Sequence, residues 1–173
     1  GFHKALEYDP KFVIIQNAEC VHKGDILGYA QKNLTSKNYI AFGCYSLGKD
    51  DTCPPAVMNE RKNNFDGDSA WYNHPVYRPS GYHFCSAITT RNLVKINGFD
   101  ERFKDGAPHD DDYFVHQIRT LGLRIDIPVS PFVFHQYHYS KPRDMGQADN
   151  KTLYENLKSE NQYRGLHLIT PDL

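Results

Sequence analysis

Three short clusters in this chain hold side chains that could do chemistry. The densest is Asp110-Asp111-Asp112. Like charges this close repel, so folding alone does not favour them. A cation, a sugar hydroxyl or a proton would use them. One Asp at a helix N-terminus needs no such reason, because it caps free N–H groups and complements the helix dipole, each effect worth about 0.5–1 kcal/mol. Three in a row go beyond that. The second cluster is His135-Gln136-Tyr137-His138, directly after the apolar run Phe132-Val133-Phe134. Imidazole is a common ligand for transition metals. A lone His near a strand end is more often a hydrogen-bonded structural residue, but an H-x-x-H pair behind the last core strand is better placed to ligate. The third is Asn17-Ala18-Glu19, at the exit of the run Phe12-Val13-Ile14-Ile15. Its plainer reading is a solvated turn.

These clusters need elements to position them. Phe12 to Ile15 is β-branched and predicts a fully buried strand. Asp25 can cap a helix carrying Ile26, Leu27, Tyr29, Ala30 and Leu34. Tyr39-Ile40-Ala41-Phe42 predicts the next strand. From Gly48 to Ser80 the chain is polar and rich in Asn, Asp and Pro, which predicts one long loop of the functional or mobile kind. Tyr82 to Ile88 predicts a strand, and Thr90 can cap a short helix through Leu93, Val94 and Ile96 that Gly98 ends. The acidic triplet opens another helix, with Phe114, Ile118 and Leu121 on its apolar face and Gly122 at its close. Leu123 to Ile127 and Phe132 to Phe134 predict strands. Residues 140–173 read as a polar tail after a domain spanning 1–139, with one candidate helix around Leu153 to Leu157. The alternation predicts an α/β fold, a mixed sheet with flanking helices.

Bulk properties exclude some functions. The 173 residues suffice for one domain with a real core. With 20 basic and 21 acidic residues, no basic excess exists to release counterions from nucleic acid. No apolar run approaches a membrane span. No signal peptide is visible, and the start at Gly1 reads as a processed, excised or partial chain. Cys20, Cys44, Cys53 and Cys85 form no C-x-x-C pair, which argues against a zinc knuckle. Buried thiols suit a reducing compartment, and a cytoplasmic location is the expectation. Aromatics lie beside polar residues in Trp71-Tyr72-Asn73-His74 and Tyr137-His138-Tyr139, a mixture that suits sugar recognition and ordinary packing alike.

Ile96-Asn97-Gly98-Phe99-Asp100-Glu101-Arg102-Phe103, followed by Asp110-Asp111-Asp112, resembles the NGF(D)E and EDDDF region of inverting glycosyltransferases of the GT-A fold. The similarity is to family 2-like and galactosyltransferase-like enzymes. It runs from about Gly1 to His138 and is most specific from Asn97 to Ile118. In those enzymes a D-x-D motif at the exit of a buried strand holds a divalent cation and the donor phosphates. Asn17-Ala18-Glu19 looks like a variant of it, with one of two acidic positions charged. The resemblance implies Glu19 as a metal carboxylate, Asn17 on the ribose or a metal-bound water, and His135, His138 or both completing the metal shell. Phe84-Cys85-Ser86-Ala87 resembles the donor-sugar segment, which implies Cys85 and Ser86 in donor binding. Two registers fit the acidic motif, and the one that keeps Phe114 and Ile118 on apolar places is better. It implies Asp111 as catalytic base and Asp110 as the residue holding the acceptor. Tyr113 and Gln117 then stand where an Asp and an Arg are expected.

The expectation is therefore a metal-dependent inverting hexosyltransferase, with Mn²⁺ or Mg²⁺ as cofactor. Its partners would be a nucleotide-diphosphate sugar (a UDP-sugar by preference) and a glycan acceptor, with no nucleic acid and no membrane span. Trp71 and Tyr72 would form an acceptor platform in the long loop. The resemblance starts at the helix before the metal-motif strand. It implies that the nucleotide-binding strands are missing, that a sheet edge and an apolar face are uncovered, and that these 173 residues are inactive alone. Two other classes fit the same residues: a sugar-binding module without turnover, and a metal-dependent nucleotide-sugar hydrolase.

Overall fold

A computed structural model describes residues 2–51, 58–61, 67–103, 109–138 and 147–166. The fold is mixed α/β. In chain order its elements are α1 (Phe2–Leu6), β1 (Phe12–Gln16), β2 (Cys20–Lys23), α2 (Ile26–Asn33), β3 (Asn38–Ala41), β4 (Gly43–Ser46) and β5 (Ala70–Asn73). There follow β6 (Cys85–Thr89), α3 (Thr90–Ile96), a 3-10 turn (Glu101–Phe103), α4 (Asp110–Thr120), β7 (Arg124–Asp126), β8 (Phe132–His135) and α5 (Gln147–Ser159).

The strands form two mixed four-stranded sheets, ordered β1-β6-β3-β7 and β2-β8-β4-β5. In the first, β6 pairs antiparallel with β1 and β3, and β3 runs parallel to β7. In the second, β8 pairs antiparallel with β2 and parallel with β4, and β5 is antiparallel to β4. The chain changes sheet twice over very short connections. One is the turn from Asn17 to Glu19 between β1 and β2, and the other is Phe42 between β3 and β4. The second crossing is buried throughout, because Asn38 to Ser46 is covered on both sides.

Several expectations change here. β1 is half-buried rather than fully buried, because it is the edge strand of its sheet and pairs with β6 alone among the described residues. Beside it lies an apolar cavity of about 420 Å³ lined by Phe2, Val13, Ile15, Leu93 and Phe99 among others. The polar stretch from Gly48 to Ser80 is not all loop. It contains β5, whose Ala70, Trp71 and Asn73 are buried. Gly43–Ser46 (β4) is a further strand, buried throughout, that the sequence reading did not anticipate. Strand β6 begins at Cys85, so Tyr82 to Phe84 lead into it. The cap of α3 is Thr89, whose hydroxyl accepts from Asn92 N–H; Thr90 is the first helical residue. Asp25 caps α2 as expected, accepting from Gly28 N–H at 2.8 Å.

Two left-handed residues in succession, Asn97 (φ 58°) and Gly98 (φ 69°), end α3. A Cβ on Gly98 would come within 3.0 Å of the Phe2 ring, so glycine is needed for φ and for space. The described residues 147–166 pack on the rest of the fold. In α5, Leu157 is buried with Phe103 and Tyr113, and Leu153 and Tyr154 pack on that cluster. The chain then returns to α3, where Gly165 N–H donates to Ile96 C=O at 2.7 Å. Cys20, Cys44 and Cys85 are buried free thiols, and Cys53 lies outside the described residues. Among the described residues no helix is long and apolar enough to cross a membrane.

Candidate functional site

Backbone pairing brings the second and third clusters together, Glu19 beside His135 and His138. Cys20 N–H donates to Asn17 C=O at 3.1 Å and closes the turn that carries Glu19. Cys20 pairs with His135 across β2 and β8, and Gln136 N–H donates to Glu19 C=O at 3.0 Å. Glu19 therefore lands beside the end of β8. Its Oε1 lies 3.2 Å from His135 Nε2 and 3.3 Å from His138 Nε2. The three side chains can each present one ligand atom within 4.8 Å of the others. The His135 side chain is 8% exposed and that of His138 is 51% exposed, so the cluster has a buried floor and an open rim. Burial pushes the Glu19 carboxyl up, but its own backbone amide and the charges of His135 and His138 outweigh this and hold it below its ordinary value. Burial pulls His135 below its ordinary value, against the pull of Glu19. The neutral imidazole is thus favoured, which is the form that ligates.

This donor set fits a divalent transition metal. Two ligands each about 2.1 Å from one ion, at octahedral or tetrahedral angles, lie roughly 3.0–3.4 Å apart. The two Glu19–His separations fall in that range. One carboxylate and two imidazoles leave coordination positions for water or substrate.

The acidic triplet occupies the first turn of α4. His109 precedes it in a left-handed conformation (φ 87°) and makes no side-chain cap. The three carboxylates have different surroundings. Asp112 accepts from the Tyr82 hydroxyl at 2.5 Å and lies 3.0 Å from His109 Nδ1. Burial and Asp112 push the Tyr82 hydroxyl well above its ordinary value. Asp111 Oδ1 lies 2.8 Å from His83 Nδ1. That nitrogen is buried and has no aligned hydrogen bond, so the approach is a close contact off the N–H axis. Asp110 is exposed at the rim of a concavity of about 250 Å³ lined by Phe99, Glu101, Phe103 and Gln117 among others. The residue is exposed as a whole, but the neighbours that line the concavity surround its carboxyl. Burial and then the neighbouring charge of Asp111 raise it above its ordinary value.

No protein-family model matches this chain, and no curated protein matches it. The geometry of the site therefore carries the functional argument.

Sequence reasoning did not single out Tyr82 and His83 as site residues and placed Phe84 only in the donor-sugar segment, yet these three residues join the two clusters. Tyr82 holds Asp112, and His83 meets Asp111. Phe84 packs edge-on to His135 with centroids 6.0 Å apart, and its carbonyl accepts from Asn17 N–H at 3.0 Å. Tyr72 completes an aromatic wall, 5.1 Å from Phe84 and 5.3 Å from His135, with the Arg78 guanidinium 5.9 Å from its ring centre. The available signal was an aromatic-His-aromatic run just ahead of a buried strand.

Other expected site residues lie elsewhere. Cys85 and Ser86 are fully buried in β6, between β1 and β3, and present no surface to a donor sugar. Burial raises the Cys85 thiol to about 12, so it is a packing thiol. Trp71 is 3% exposed, with its ring against Tyr45, His74 and Phe132, so protein already covers it and it cannot serve as a platform. Tyr72 is half-buried on the aromatic wall. Asn17 acts through its backbone in the Glu19 turn.

The Asn97-to-Phe103 segment serves the fold. Asp100 is buried and takes Arg102 in a two-pronged pair at 2.9 and 2.7 Å. Asp100 also accepts from Leu166 N–H at 3.0 Å, and Asn97 Nδ2 donates to Gly165 C=O at 2.9 Å. Gln117, fully buried, donates from Nε2 to the carbonyls of Ile96, Gly98 and Tyr163 at 3.1, 3.3 and 3.1 Å.

Proposed function

We propose that this chain carries the site of a metal-dependent, inverting glycosyltransferase. The reading rests above all on the convergence of Glu19, His135 and His138 from distant parts of the chain into one ligand set. A second support is the acidic helix mouth, joined to that set by Tyr82, His83 and Phe84.

The donor is a nucleotide-diphosphate sugar and the acceptor a sugar hydroxyl. Glu19, His135 and His138 would hold a divalent ion, Mn²⁺ or Mg²⁺, which would supply positive charge to offset that on the departing diphosphate. Asp111 takes the proton of the acceptor hydroxyl as that oxygen attacks the anomeric carbon from the face opposite the leaving group. Asp110, at the rim of its concavity, hydrogen-bonds the acceptor. The half-buried rings of Tyr72, Tyr82 and Phe84 form an apolar wall for a sugar face. Asp112 is committed to Tyr82 and His109 and orders the helix mouth.

The test is transfer by the full-length protein from a panel of UDP-sugars to saccharide acceptors, with and without Mn²⁺. Turnover should need the metal, rise on adding acceptor and vanish in Glu19→Ala. Equal turnover without acceptor would make the site a hydrolase. Saccharide binding without turnover would make it a binding module.

A further inference from the structure

We propose that His83 is the positioning residue for the Asp111 carboxylate, orienting one oxygen so that the other meets the acceptor proton. This rests on the reading of Asp111 as the base. His83 Nδ1 lies 2.8 Å from Asp111 Oδ1, with the two side chains 15% and 32% exposed. The imidazole is lodged against two rings. Its centroid is 4.6 Å from Phe99 and 5.5 Å from Phe114, which stack on each other at 4.4 Å and 17°. Those contacts restrict the plane of the imidazole. Its backbone is set by the start of β6, where Cys85 pairs with Gln16.

Packing does not explain a histidine here. A phenylalanine would fill an aromatic nest without a buried nitrogen that lacks an aligned partner. A buried unmatched polar atom costs about 1–3 kcal/mol, and such atoms in a fold call for a reason. Asp111 supplies one. Contacts of this kind are often poorly aligned without substrate and tighten in the productive complex. The imidazole meets Asp111 from the entry to β6, whereas that carboxylate sits on a helix start with no side-chain cap.

The experiment compares His83→Phe, His83→Asn, Asp111→Asn and the His83→Phe/Asp111→Asn double variant in the full-length protein. Initial rates are taken with Mn²⁺, UDP-galactose, UDP-glucose or UDP-N-acetylglucosamine, and glucose or N-acetylglucosamine as acceptor. His83→Phe should lower kcat about 10–100-fold, less than loss of the base itself. Donor KM and the Mn²⁺ midpoint should stay within about twofold of wild type. His83→Asn places an amide N–H near the Nδ1 position and should restore most of the rate. The double variant should be no slower than Asp111→Asn alone within about twofold, because the two act as one unit. Multiplying effects, or His83→Asn no better than His83→Phe, would overturn the proposal. Should His83→Phe not fold, His83→Asn against the longer His83→Gln reads the same point. A wild-type protein without transfer overturns the glycosyltransferase reading and this proposal with it. Wild-type transfer that His83→Phe leaves unchanged overturns this proposal alone.

Discussion

Replacing Glu19 by Gln keeps the size of the side chain and removes its charge, which makes it the sharpest probe of the ligand set. Metal binding to the folded state stabilises a protein by RT ln(1 + [L]/Kd), about 2.7 kcal/mol at a hundredfold excess over Kd. A 150–250-residue domain gains roughly 2–4 °C in Tm per kcal/mol, and this chain has 173 residues. Saturating Mn²⁺ should therefore raise the Tm of wild type by about 5–11 °C. The same rise should be nearly absent in Glu19→Gln, because the carboxylate is the one anionic ligand among the three. It should be cut sharply in His135→Ala and His138→Ala. The assay is differential scanning calorimetry at pH 7.5, with and without the ion, after treatment with chelator. Glu19→Gln serves better than Glu19→Ala, because it removes the charge while keeping a side chain of the same size beside His135 and His138. An equal Tm rise in wild type and Glu19→Gln would place any bound ion elsewhere. No rise in wild type with Mn²⁺, Mg²⁺ or Zn²⁺ at millimolar concentration would refute the metal site outright.

Further outcomes follow from other parts of the structure. Asp111→Asn should cut transfer by about 10²–10⁴-fold while the Mn²⁺-induced Tm rise persists; Asp110→Asn should raise the acceptor KM more than the donor KM. Full turnover in Asp111→Asn would refute its role as base. Gln117→Leu should lose about 1–3 kcal/mol in urea unfolding, since it strips the buried donor shared by the carbonyls of Ile96, Gly98 and Tyr163; an unchanged urea midpoint would refute that role. Trp71→Ala should cost about 3–5 kcal/mol, and Trp71→Phe should leave acceptor KM unchanged, because the indole is in the core.

The sequence carried the site's ingredients better than its surroundings. Glu19, His135 and His138 were legible because each lies at the end of an apolar run, and strand ends are where a sheet delivers polar side chains to one edge. The helix at Asp110 was legible from Phe114 and Ile118, which are buried as their spacing requires. What misled was polarity. Ala70 to Asn73 sits in a polar stretch, but Asn73 is buried because its amide donates to the carbonyls of Ala41 and Phe42 at 3.2 and 2.9 Å. A strand whose polar residues are satisfied by a neighbouring backbone has no hydrophobic period to read. The Asn97–Phe103 motif carried a resemblance and no local sign of its packing role: its Asn97 and Asp100 anchor Gly165 and Leu166, a partner that no local pattern announces. His83 was missed because its meaning depends on Asp111, which only tertiary packing brings near.

Acid sensitivity gives a last test, one that does not depend on the proposed activity. Burial pulls His74, His116 and His135 below the ordinary histidine value of 6.5. A group whose folded-state value is depressed binds fewer protons folded than unfolded. Above pH 6.5 both states are neutral, and these histidines add no pH dependence. As pH falls through 6.5 the unfolded chain takes up protons that the folded chain refuses, so stability declines until the depressed folded value is reached. Each such group can contribute at most about 1.36 kcal/mol per pH unit. The structure shows why His74 resists the proton. Its Nδ1 accepts from the N–H groups of Val76 and Tyr77, both at 3.1 Å, and a proton there would leave two donors facing a third. Its ring also stacks on Tyr77 at 4.4 Å and packs against Trp71. Urea midpoints should therefore fall between pH 7 and pH 5.5, well above the range where carboxylates titrate. His74→Asn can keep an acceptor at the same position without titrating, and it should flatten the slope over that range. A midpoint unchanged from pH 7 to pH 5.5, or an unchanged slope in His74→Asn, would refute the assignment of acid sensitivity to these buried imidazoles.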